Sequence, residues 1–122
     1  MASDGGRLTL DVMGFRVRVS FSRRRPAWVP RDAKHGCFDP GRPRIWVDPR
    51  DYPAEQLDTL WHELAHLALA VEGVDLERRR RPGEKPREEA VAEAVARVFP
   101  RLLADNPRLP VTAEGLERWR KP

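Results

Sequence analysis

His62-Glu63-Leu64-Ala65-His66 sets two imidazoles four residues apart, with a carboxylate directly after the first. On a helix, at about 100° per residue, residues four apart share a face. Both rings can therefore reach one ion through nitrogen at about 2.0–2.1 Å. Glu63 stands about 100° round from His62, beside such an ion rather than on it. There it can take a proton from a water whose pKa zinc lowers to roughly 7. The chemistry that this spacing serves is metal-assisted hydrolysis. From Leu60 to Val71 the only ionisable groups are His62, Glu63 and His66. A stretch apolar on all sides predicts a buried helix, and burying three such groups without partners is costly. A metal removes that cost. The plainer alternative is a pair of core histidines satisfied by hydrogen bonds, with Glu63 as their partner.

A catalytic zinc keeps an open position beside its protein ligands, usually three in number. The third ligand must come from elsewhere, since His35 lies well upstream on an expected loop. The acidic segment Arg87 to Phe99 is amphipathic: Val91, Val95, Val98, Phe99 and Leu102 define the inward face of a second helix. Glu88 falls within about 50° of the centre of that face, whereas Glu89 and Glu93 point away. Glu88 is the first choice, Glu89 the second and Glu93 the third. Glu88 and Glu89 would also suit the positive end of a helix dipole with no metal present. For a donor to the developing oxyanion, His35, Tyr52 and Arg50 are candidates among which the residues do not choose.

The pattern resembles small one-domain zincins of the ImmA/IrrE type and their compact phage-encoded relatives. That family pairs a His-Glu-x-x-His helix with a second helix reading Glu-x-x-Ala-x-x-Phe-Ala-x-x-Leu-Leu. Glu88, Val91, Ala94, Val95, Val98 and Phe99 occupy those places in order, Ala94 and Val95 standing where the family has Phe and Ala. Also similar are a strand pair before the first helix (Gly36 to Asp39, then Arg44 to Asp48) and an ending Leu102-Leu103-Ala104-Asp105-Asn106-Pro107. The resemblance spans roughly residues 34 to 107. It implies a peptidase-like fold and a zinc ion held by His62, His66 and Glu88, with Glu63 as the base and a peptide or protein as substrate. It also implies regulatory roles, such as cleavage of a repressor of a mobile element.

The 122 residues suffice for one zincin-like domain and leave no room for a second. At 40% hydrophobic residues the chain should fold. It has no apolar run of membrane-spanning length and no signal-peptide segment, so a cytoplasmic protein without a membrane partner is expected. A single cysteine, Cys37, rules out an internal disulfide and reads as a small strand residue. The net charge of +4 comes almost wholly from arginine, 20 of the 23 basic residues, and favours anionic partners. Arg23 to Arg25 and Arg78 to Arg81 fall in proline-flanked loops. They allow weak phosphate contact but lack interleaved aromatics or a DNA-reading motif. Two rival functions follow: a catalytically silent zincin-fold binding module that keeps zinc for folding, and a basic nucleic-acid-binding protein. An intact Glu63 speaks against the first.

Several elements must position these residues. Residues 1–6 read as a disordered tail. Leu8 to Asp11 and Phe15 to Phe21 alternate apolar and polar residues around a turn at Met13-Gly14 and predict antiparallel strands. A Pro- and Arg-rich loop leads to two short strands, near Lys34 to Phe38 and Arg44 to Val47, joined at Asp39-Pro40-Gly41. Pro53 and Glu55 open the first long helix and Gly73 ends it; Pro86 opens the second, which Pro100 should kink or stop. Thr112 caps a last helix from Ala113 to about Arg120. The expected fold is α+β, a small antiparallel sheet packed on a two-helix core with a short C-terminal helix. Arg44 to Asp48 is the candidate exposed edge strand beside the cleft.

Overall fold

The structure, a computed structural model, describes residues 7–121; the expected N-terminal tail lies outside them. The cleanest alternation in the chain makes the first hairpin. Strand β1 (Arg7–Val12) pairs antiparallel with β2 (Phe15–Ser20), so that Leu10 faces Val17 and Leu8 faces Val19. Val17 and Val19 are buried while Arg16 and Arg18 are exposed. The connecting Met13 and Gly14 have φ of 50° and 89°, the doubly positive turn whose twist matches that of the strands. Strands β3 (Gly36–Asp39) and β4 (Arg44–Val47) form a second antiparallel hairpin. Its turn is held by Asp39, whose Oδ1 accepts the Gly41 N–H at 3.0 Å and whose Oδ2 accepts from Arg44 Nε at 3.0 Å.

The hairpins join into one mostly antiparallel sheet of order β1-β2-β4-β3, β2 and β4 being the parallel pair. The expectation that β4 is an exposed edge is thereby corrected. It is a central strand, and β3 takes the edge. Ile45, Trp46 and Val47 are buried in succession, which requires cover on both faces. Ile45 and Val47 face the helices. Trp46 faces the other way, beneath the Pro- and Arg-rich loop, where its Nε1–H donates to the Ser22 carbonyl at 2.9 Å and Arg25 lies over its ring.

Helix α1 (Pro53–Val71) starts with proline at its first position and the Tyr52 N–H donating to Glu55 Oε1 at 3.0 Å. Gly73 ends it at φ 70°. There the Gly73 and Val74 N–H groups return to the Ala70 and Leu69 carbonyls, satisfying orphan acceptors of the last turn. Helix α2 (Arg87–Asp105) continues past Pro100, which is exposed, so the proline does not stop the helix. At its end Asn106 works like a strand residue for β1. Its Oδ1 accepts the Asp11 N–H at 2.9 Å, and its Nδ2 donates to the Asp11 and Leu102 carbonyls at 2.7 and 2.8 Å. Helix α3 (Ala113–Arg120) is capped by Thr112, Oγ1 accepting the Gly115 N–H at 3.0 Å, and buries Leu116 and Trp119. The core lies between the sheet and the three helices. Each fully buried Leu, Ile or Val there contributes about 1.5–3 kcal/mol. Among the described residues, no helix is long and apolar enough to cross a membrane.

Candidate active site

The core stripe of α1 orients the site. Leu60, Leu64, Leu67 and Ala68 are buried against the sheet, which turns His62 and His66 to the opposite, exposed side. A helix buried all round is therefore not what forms. Trp61 is half-covered, its ring edge-on to Phe99 and its Nε1–H on the Pro110 carbonyl, but among the described residues no element covers the exposed His62 and His66. The two imidazoles converge, with centroids 4.8 Å apart, planes at 79° and Nε2 atoms separated by 3.2 Å. Two donors at about 2.0–2.1 Å from one tetrahedral ion stand about 3.3 Å apart. The pair therefore fits zinc in donor chemistry and spacing. Without an ion, an N–H···N contact between one ring and its neighbour accounts for the same distance.

The cost of burial falls instead on Glu63, which is 7% exposed. Burial pushes its carboxyl above the usual carboxylate range; His66, His62 and the Phe38 backbone N–H act against that rise without cancelling it. Strand β3 reaches this carboxylate only because residue 36 is glycine. A Cβ at Gly36 would overlap Thr59 Cγ2 on α1 and come within 2.7 Å of the Trp46 carbonyl oxygen on β4. Next along β3, burial first and then the Glu63 carboxylate push the Cys37 thiol up. Both effects keep it protonated and unreactive.

Two clefts flank Glu63. On the His66 side one of about 780 Å³ is largely apolar, with Phe38, Pro40, Leu69, Val74 and Leu76 in its wall. On the His62 side a cleft of about 410 Å³ is lined by Lys34, His35, Asp58 and Thr59. His35 Nδ1 lies 2.9 Å from Asp51 Oδ2. The other two candidates for an oxyanion donor are placed differently. Arg50 grips Asp48 through Nε and Nη2, both at 2.9 Å, and that hydrogen-bonded guanidinium holds the Asp48 carboxyl below its usual range. Tyr52 is 78% exposed at the start of α1.

Glu88 is not on a buried face. The stripe that α2 buries is Ala94, Val98 and Leu102, which puts Glu88 about 80° from its centre, exposed in the first turn. The half-buried Val91, Val95 and Phe99 had drawn the sequence-based face toward it. Glu89 is exposed, and Glu93 pairs with Lys85. Among the described residues, no three His, Cys, Asp or Glu side chains gather as a metal cluster. The structure thus joins His62, Glu63 and His66 and leaves Glu88 apart. Sequence reasoning missed Asp51 and the need for Gly36; the placement of Asp51 between a strand and the proline that opens α1 was the only signal for the first. In the arginine clusters, Arg25 donates to the Pro30 carbonyl at 2.9 Å and Arg78 pairs with Glu84 at 2.7 Å. Each cluster thus spends one member on holding its own loop.

A family model described as the IrrE N-terminal-like domain, of a peptidase family, matches residues 25–101. That span holds β3, β4, α1 and most of α2. No curated protein and no solved structure gives a significant match.

Proposed function

Because the chain belongs to the IrrE N-terminal-like domain family of peptidases, we propose that it is a zinc-dependent peptide-bond hydrolase. The observation that carries this reading is the convergence of His62 and His66 Nε2 at 3.2 Å with a buried carboxylate beside them. His62 and His66 would hold the ion, and Glu88 is the proposed third ligand. Zinc bound there supplies Lewis acidity, polarising a carbonyl and making water acidic at neutral pH. Glu63 takes the proton of the attacking water and passes it to the leaving amine nitrogen. Among the described residues, strand β3 pairs only with β4, so its outer edge offers backbone groups along which an extended peptide can lie as a further strand.

The test is zinc content and peptide hydrolysis of the wild type beside three variants. His62→Ala and Glu88→Ala should lose zinc, whereas Glu63→Gln should keep it and lose hydrolysis. One observation favours a second reading, a family member that binds without cleaving: Glu88 does not gather with the imidazoles. Under that reading Glu63→Gln leaves peptide binding intact and there is no hydrolysis to lose.

A further inference from the structure

We infer that the apolar cleft on the His66 side of Glu63 seats a large apolar side chain of the substrate peptide, and that Asp75 and Glu77 on its rim take a lysine or arginine two places away from it. The inference rests on the hydrolase reading for what is done to the peptide, and on the cleft's own walls for which peptide enters. The cleft holds about 780 Å³, within the range of about 300–1,000 Å³ that ligand sites span. One wall is the edge strand β3, from Gly36 to Phe38; the other is α1 with the loop that follows it. Glu63 and His66 line the same space, so a peptide that fills it lies against the residues proposed to cleave it.

Every second side chain of a peptide lying along β3 turns to the same face. A side chain turned to the α1 wall meets Leu69, Val74 and Leu76, of which Leu76 is 42% exposed. An apolar group seated there removes apolar surface from water on both partners. The charge of the cleft runs against that of the chain. The chain has 23 Lys and Arg and a net charge of +4, yet the cleft is lined by three carboxylates, Glu63, Asp75 and Glu77, and among the described residues by no Lys or Arg. The Glu77 N–H donates to Asp75 Oδ1 at 2.9 Å, which holds both acids on one turn. Arg78, next along, gives two guanidinium nitrogens to Glu84, and neither Asp75 nor Glu77 has an ion pair among the described residues. A cation two places from the seated side chain shares its face and meets these carboxylates, whereas an acidic residue there is repelled.

The test is fluorescence anisotropy of a labelled peptide, Gly-Lys-Ser-Leu-Ser-Lys-Gly, which carries a cation two places to either side of its leucine. It is titrated with the full-length wild type without added metal, and with Glu63→Gln loaded with zinc so that bound peptide persists. Replacing the peptide's leucine by alanine should weaken binding about tenfold, the size of one largely buried apolar side chain. Replacing both lysines by glutamate should weaken it about tenfold at low salt and by less at high salt. Asp75, Leu76 and Glu77 are exposed, so their variants should fold. Leu76→Ser should shrink the advantage of leucine over alanine, and the double variant Asp75→Lys with Glu77→Lys should prefer the glutamate peptide. Equal affinity for the leucine and alanine peptides overturns the inference, as does a charge preference unchanged in the double variant or a peptide that neither protein binds. Cleavage of the same peptides by zinc-loaded wild type is followed by mass spectrometry. Selective binding with no cleavage removes the hydrolase reading and leaves the occupant of the cleft assigned.

Discussion

Replacing Gly36 with alanine tests how closely the edge strand must approach the active-site helix. The added methyl would overlap Thr59 Cγ2 and lie 2.7 Å from the Trp46 carbonyl oxygen, yet only 3.7 Å from Glu63 Cγ, an ordinary contact. Thr59 can turn aside at modest cost. The Trp46 carbonyl cannot, because it belongs to a central strand of the sheet. Overpacking of this kind costs about 1–3 kcal/mol, and a backbone atom as the obstacle puts the expectation at about 2–3 kcal/mol. For a chain of this length that is a fall in Tm of about 8–12 °C. Urea unfolding followed by circular dichroism should show an earlier midpoint with an unchanged slope. Adding Thr59→Ala should return only part of the loss. A Gly36→Ala protein within about 0.5 kcal/mol of the wild type, the range of a neutral surface change, would refute the claim that space, not backbone conformation, demands glycine here.

Two further perturbations probe the frame around the site. Asn106→Ala removes three hydrogen bonds between the end of α2, Leu102 and β1 and should lower stability by about 1–3 kcal/mol; a thermal unfolding curve overlaying that of the wild type would mean the bridge is incidental. The Asp48 carboxyl is held below its usual range by Arg50, so it contributes stability above the unfolded value of about 3.9 and loses it as pH falls through the folded value. Wild type should therefore exceed Asp48→Asn by a constant margin from pH 7 down to about 5, with the gap closing below about pH 4. A gap that widens in acid would reverse the assigned sign.

The hairpins and the helix limits were legible in the residues because they are local. Alternation from Phe15 to Phe21, positive-φ Gly14 and Gly73, Pro53 and Thr112 each act within a few positions. Strand order is not local. A four-residue strand such as Arg44–Val47 reads the same at an edge or in the middle, and only the cover on both faces of Trp46 settles which it is. Likewise the run from Leu60 to Val71 looked apolar on every side, whereas burial depends on what the rest of a short chain can place over it. Three helices and one sheet cover the leucine stripe and leave the imidazoles open. That openness is what a site needs if a substrate is to reach it. The face of α2 was misjudged because half-buried valines at Val91 and Val95 pull the estimate toward Glu88, while the contact centres on Val98, between Ala94 and Leu102. The pairing of His35 with Asp51 spans 16 residues, and the place of Asp51 just before the proline that opens α1 was its only trace in the sequence.

The most direct test of the central claim is zinc K-edge X-ray absorption of the metal-loaded protein. The expected spectrum shows two imidazole nitrogens at about 2.0–2.1 Å completed by oxygen donors, with the imidazole scattering lost in His62→Ala and His66→Ala. A sulfur shell at about 2.3 Å, or a metal site with no imidazole signature, would contradict the assignment of the ion to this pair.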